Sequence, residues 1–150
     1  MWKKRQGKTG VRSDRSRAVA RLDRVFSEFI RLRDSFPTQS GLYFRCISCG
    51  RILPYADADC GHYVNRSHMA TRYDEANCHA QCRQCNRFDE GNIYSYRRAL
   101  VEKMGESRVR LLESRKHDTC KLTVFEMEAM AAHYREAVKR LKEERVWRKG

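Results

Sequence analysis

The sequence predicts a small α+β fold, in which a metal-stapled β centre sits between one N-terminal helix and a C-terminal helical part. Two observations predict it. Apolar residues recur at three- and four-residue steps near both ends, a spacing that lines one face of a helix. Between those ends the helical period fades, and two Cys-x-x-Cys pairs bracket short runs of strand-like composition. At 150 residues the chain makes one domain. Its 34% of charged residues leaves a thin core, which a bound metal would staple.

The elements follow in order. Residues 1–13 are basic with no apolar period and predict a flexible arm. Segment 14–37 predicts a helix over 14–36, with Val19, Leu22, Phe26, Phe29 and Ile30 on its apolar face and Pro37 as its stop. Segment 38–91 is the predicted β centre, with LYFRC and CGHYV as short strands. Segment 92–150 is helical. One helix over 92–104 buries Tyr96, Leu100, Val101 and Met104 and ends at Gly105. A shorter one holds Val109, Leu111 and Leu112. The last opens on a capping box, Thr123 with Glu126 three residues on, and buries Met127, Met130, Ala131, Tyr134, Val138 and Leu141.

A net charge of +13 favours a polyanionic partner. The basic residues cluster: Lys3, Lys4, Arg5, Lys8 and Arg12 stand in the arm without an acid, and Lys139, Arg140, Lys142, Arg145, Arg148 and Lys149 close the chain. Such an arm tethers phosphates without reading sequence. No run is apolar enough to cross a membrane and no secretion signal is present, so a reducing cytoplasm is expected. There, cysteines two residues apart bind metal more often than they pair.

Cys46-Ile-Ser-Cys49 and Cys82-Arg-Gln-Cys85 supply four thiolates, a full tetrahedral set for a structural Zn²⁺. The long separation between the pairs is tolerable because closure cost grows slowly with loop length. Cys120 reads as an ordinary buried thiol. Cys60 and Cys78 could join a second metal, although inert thiols are the plainer reading.

The insertion between the knuckles holds the residues that phosphodiester hydrolysis needs: a base, a divalent cation and positive charge. His62 is the candidate base. Asn86, directly after the second knuckle, offers a hard amide oxygen suited to Mg²⁺ or Mn²⁺. Arg72, Arg83 and Arg87 are the candidate phosphate contacts. The plainer readings put His62 in a satisfied core position and pair Arg72 with Asp74 or Glu75. His79 reads as structural or phosphate-contacting, His68 as solvated, and His117 and His133 as surface residues.

The order His62, Asn77, Cys82-x-x-Cys85-Asn86 resembles that of the HNH, or ββα-metal, nucleases. FSEFIRLRDS, CISCG, CGHY, TRYDEANCHAQCRQCNRF, GNIYSYRRALVEKMG and AHYREAVKRL together resemble the NinG (Rap) recombination nucleases of lambda-like phages. The resemblance implies a zinc-bound ββα-metal core. It further implies His62 as general base, Asn77 as the residue that holds the hairpin loop, and Asn86 as ligand of the catalytic cation. It also implies a phage or prophage endonuclease in the host cytoplasm that cleaves D-loops and Holliday junctions and leaves 5′-phosphates. Branched or partly single-stranded DNA and recombination proteins would be its partners, and cutting a symmetric junction would favour a homodimer. One departure stands out. Many HNH enzymes carry a metal-binding acid directly before the base, and here that place is Gly61. Asp59, reached through a local bulge, is the expected replacement. Two other classes remain: a non-catalytic zinc-knuckle DNA-binding accessory, and a zinc protein that binds another protein. Metal-dependent cleavage separates the first from the enzyme, and salt-insensitive binding would mark the second.

Overall fold

The computed structural model describes residues 13–147. The arm residues Lys3, Lys4 and Arg5 and the terminal Arg148 and Lys149 lie outside them. Helix α1 (Asp14–Arg33) starts at Ser13, whose hydroxyl accepts from the Ser16 N–H at 3.1 Å. It buries Leu22, Phe26 and Ile30 as expected, together with Ala18, Val25 and Leu32. It ends before the expected 36. Pro37 disfavours helical geometry at Phe36, and residues Ser35–Thr38 instead form strand β1. Proline is tolerated there because β1 is an edge strand, paired only with β2 (Gly41–Arg45). Strand β3 (Ile52–Pro54) completes this antiparallel sheet in the order β1-β2-β3.

The second sheet is a two-stranded antiparallel pair, β4 (Ala58–His62) with β5 (Cys78–Cys82). Their register is regular, from Ala58 opposite Cys82 to His62 opposite Cys78. The connection carries one helical turn, α2 (Met69–Arg72). A π-type turn over Gln84–Phe88 follows β5, and then come α3 (Ile93–Met104), α4 (Glu106–Ser114) and α5 (Val124–Trp147). Gly105 separates α3 from α4 at φ 88°, a left-handed angle that suits glycine. The capping box forms: Glu126 accepts from the Thr123 N–H at 2.7 Å, and the Thr123 hydroxyl accepts from the Glu126 N–H at 3.1 Å.

Helices α1 and α5 pack on each other. Tyr134 sets its ring edge-on to Phe26 at 5.0 Å, and Met127, Ala131 and Val138 fill the same core. Arg21–Glu128 and Lys142–Glu28 flank the seam as ion pairs. The end of α1 then docks on β5, where the Ala80 N–H donates to Asp34 at 2.8 Å and Arg33 donates to the Cys78 carbonyl at 2.7 Å. The helical pair thereby holds the β4–β5 ladder in place from one side. Tyr96 of α3 is fully buried against the other side and donates to the Gly61 carbonyl at 2.9 Å.

Candidate functional site

The turn after β2 and the turn after β5 bring the four knuckle sulfurs together. All lie within 4.8 Å of one another, and Cys49 and Cys82 are 3.8 Å apart. A tetrahedral Zn²⁺ with bonds of about 2.3 Å needs sulfurs about 3.8 Å apart, so the set fits a metal. Gly50, at φ 74°, closes the first knuckle by donating to the Cys46 carbonyl at 2.9 Å. N–H groups point at the sulfurs: Cys82 N to Cys46 Sγ at 3.3 Å and Cys85 N to Cys82 Sγ at 3.5 Å. Burial pushes Cys46 up and Cys85 up to about 12; at Cys49 burial is outweighed by hydrogen bonds from Arg51, which bring it down to about 6. Four thiolates held this close repel one another, and a bound dication would offset that repulsion.

Asn77 is fully buried at the foot of β5. Its Oδ1 accepts from the Val64 N–H at 2.7 Å, and its Nδ2 donates to the carbonyls of Val64 at 2.9 Å and Thr71 at 3.0 Å. One amide thus ties both ends of the connecting loop. Asn77→Ala leaves the buried Val64 N–H and C=O without their partner, while the Thr71 carbonyl keeps the Asp74 N–H, and is expected to cost about 2–4 kcal/mol, read from the denaturant midpoint.

His62 ends β4, half-buried, and its Nε2 lies 2.9 Å from the Arg72 carbonyl. A carbonyl only accepts, so Nε2 carries the proton and Nδ1 keeps a lone pair. Burial lowers the His62 pKa against the smaller opposing effect of that hydrogen bond. His62 and Asn86 line one cavity of about 520 Å³ with Cys60, Tyr63, Asn65 and Arg66. A larger cavity of about 660 Å³, walled by Arg33, Arg45, Arg98 and Lys103, lies beside the knuckles. Its sulfurs belong to the cluster, and its histidine, His79, is engaged with Tyr96, so it pairs no base with a hard ligand.

The strand has no bulge at Asp59. Regular alternation puts Asp59 and His62 on opposite faces. Both oxygens of Asp59 are already engaged, by Arg87 at 2.7 Å twice and by the Asn86 amide nitrogen at 3.1 Å. Asn86 therefore keeps its Oδ1 for another partner. The place beside Gly61 is filled: a Cβ there would stand 2.9 Å from the Gln81 Cβ and overlap its amide oxygen. Gln81 itself is buried and donates to Ser48 and Gly91. Gly61→Ala is expected to displace that side chain at a cost of about 1–3 kcal/mol, read as a lowered melting temperature.

Other expectations change. Arg72 pairs with neither Asp74 nor Glu75 but with Asp23 of α1, at 2.6 Å, and its side chain is only 15% exposed, so it braces α1 rather than reaching for phosphate. Arg83 and Arg87 stay about half exposed at 51% and 55%, paired with Asp57 and Asp59. Arg66, not singled out from sequence, is 59% exposed on the cavity wall beside His62. His79 is buried, contacts the Tyr96 hydroxyl at 3.2 Å, and is driven down to about 4 by burial, which fits the structural reading alone. His117 and His133 are exposed, as expected, while Cys120 is partly exposed rather than buried. No helix among the described residues is long and apolar enough to cross a membrane.

A family model described as "Bacteriophage Lambda NinG protein" matches residues 2–144. The chain is 35% identical to Protein ninG of Escherichia phage 933W and of Salmonella phage P22, over 133 residues that cover 87% of this chain and 61% of each relative. It is 34% identical to Protein ninG of Escherichia phage lambda, covering 60% of that protein. The chain thus spans about three-fifths of the length of these relatives. No solved structure matches it.

Proposed function

From a chain that belongs to the bacteriophage lambda NinG family, we infer a metal-dependent DNA endonuclease of the HNH (ββα-metal) type that hydrolyses phosphodiesters in branched DNA. One observation carries the reading. His62, with an unprotonated Nδ1, and Asn86, with an uncommitted Oδ1, open on one cavity, and Asn77 fixes the loop between them.

His62 Nδ1 takes the proton of the attacking water, and the Arg72 carbonyl holds the ring in the tautomer that this requires. A divalent cation, when bound, places positive charge on the scissile phosphate. The Asn86 amide oxygen is the ligand that this chain presents for it. Asp59 orients Asn86 by accepting from its amide nitrogen, and Arg87, half exposed, offers charge to a DNA phosphate. Arg66 and Arg83 offer further positive charge, and a structural Zn²⁺ on the four knuckle thiolates fixes the π-type turn that bears Asn86. The rings of Phe88 and Tyr94, 73% and 79% exposed, flank this turn as stacking platforms for unpaired bases. Phe88→Ala with Tyr94→Ala is expected to lower the preference for a junction over plain duplex about tenfold, measured by competition binding.

The test is cleavage of a synthetic four-way junction in Mg²⁺ or Mn²⁺, with EDTA as control. A second reading, a non-catalytic DNA-binding accessory of recombination, is favoured by the filled space at Gly61 and by the engaged Asp59. Salt-sensitive junction binding with no cleavage of branched, nicked or single-stranded DNA would decide for it.

A further inference from the structure

Cys60 and His62 stand two residues apart on β4 and share a face of the ladder. Cys78 sits directly opposite His62 on β5 and shares that face too. Their ligand atoms all lie within 4.8 Å of one another, the same closeness that the knuckle sulfurs reach. Among the described residues these two groups alone bring three or more such ligands so close. We propose that Cys60, His62 and Cys78 form a second metal site, for a thiolate-preferring divalent cation of the zinc class.

The chemistry selects that class. Two thiolates and an imidazole match the softness of Zn²⁺ and are poor ligands for Mg²⁺. Three protein ligands leave a fourth position for water. A cavity of about 80 Å³, bounded by Cys60, His62, Asp23 and Ser27, adjoins the cluster and exceeds the roughly 15 Å³ that one water needs. Two thiolates and one dication also sum to zero charge beside the Arg72–Asp23 pair, so the occupied site adds no net charge to this face. The competing view makes Cys78 a plain core thiol beside Leu22 and Phe26. Its sulfur makes a long contact of 3.7 Å to the Arg72 carbonyl and lies beside the Cys60 thiol. That view predicts that neither cysteine changes the metal content.

The site has a consequence that rests on the nuclease reading. A neutral imidazole bound to metal through one nitrogen carries its proton on the other. Neither nitrogen can then accept a proton from water. Zinc at Cys60–His62–Cys78 therefore withdraws the base, while Mg²⁺ or Mn²⁺ at Asn86 leaves it in place.

The test is elemental analysis of the full chain produced in zinc-supplemented medium under reducing conditions. Two zinc ions per chain are expected in the wild type and one in Cys60→Ser/Cys78→Ser. Cys60→Ala, at a half-buried position, is expected to lose the same ion with its helical circular dichroism intact. Produced with Co²⁺ instead, the wild type should show thiolate-to-cobalt charge-transfer absorption about twice as strong per chain as the double variant. A single ion in the wild type, or two in the double variant, overturns the site. In junction cleavage with Mn²⁺, wild type first stripped to one zinc per chain should be slowed about a hundredfold by restored Zn²⁺, and the double variant spared. Absence of cleavage with every cation would instead overturn the nuclease reading, and the metal count would still decide the site.

Discussion

Cys82→Ser is expected to deprive the chain of its structural metal and, with it, of a cooperative fold in the β centre. Cys82 ends β5, lies 3.8 Å from Cys49, and accepts the Cys85 N–H and the Arg51 guanidinium. Structural zinc contributes on the order of 10 kcal/mol of folding free energy in small sites, comparable with the whole net stability of a domain. The sulfurs join the turn after β2 to the turn after β5, and the core that they adjoin is small: Phe44, Ala58, Ala80 and the cysteines themselves. It is too small to replace the metal. The expected result is a loss of the sharp thermal transition together with the structural zinc, and strong chelation of the wild type should reproduce it. An unchanged melting curve in a variant shown to lack this metal would refute the stapling role.

His62→Ala is expected to lower junction cleavage by about 10²–10⁴ while leaving the structural zinc and salt-dependent DNA binding in place. The imidazole is half-buried at a strand end, and its one hydrogen bond is to the Arg72 carbonyl, so its removal disturbs the ladder little. Asn86→Ala should lose cleavage in step. Asn86→Asp, which keeps an oxygen ligand of the right length, should retain part of it and shift the preference among divalent cations. Undiminished cutting by His62→Ala would remove it from the role of base.

What the sequence made legible follows from period. Helices α1, α3 and α5 display their apolar stripes over many turns, and the capping box at Thr123 is local by construction. The knuckles are legible for the same reason, because a spacing of two is a local constraint. Strand β5 was not, since CHAQC is buried at every position and shows no alternation. Strands β1 and β3 are three or four residues long, too short for a pattern to emerge. Long-range partners were equally hidden. Arg72 reads from the sequence as a phosphate contact or as a partner of Asp74 or Glu75, yet its partner, Asp23, lies 49 residues away. Arg66 gave no signal at all, because only the folded loop carries it to the wall beside His62. The place of Asn77 came from the resemblance, and its three hydrogen bonds give that place a physical cause.

The glutamine that fills the space beside Gly61 makes substitutions at the two positions non-additive. An aspartate at 61 alone would collide with Gln81. A small residue at 81 alone would forfeit the bonds to Ser48 and Gly91 and open a void in a buried layer. Each single change therefore costs stability, and only a paired change at 61 and 81 would make room for an acid directly before His62.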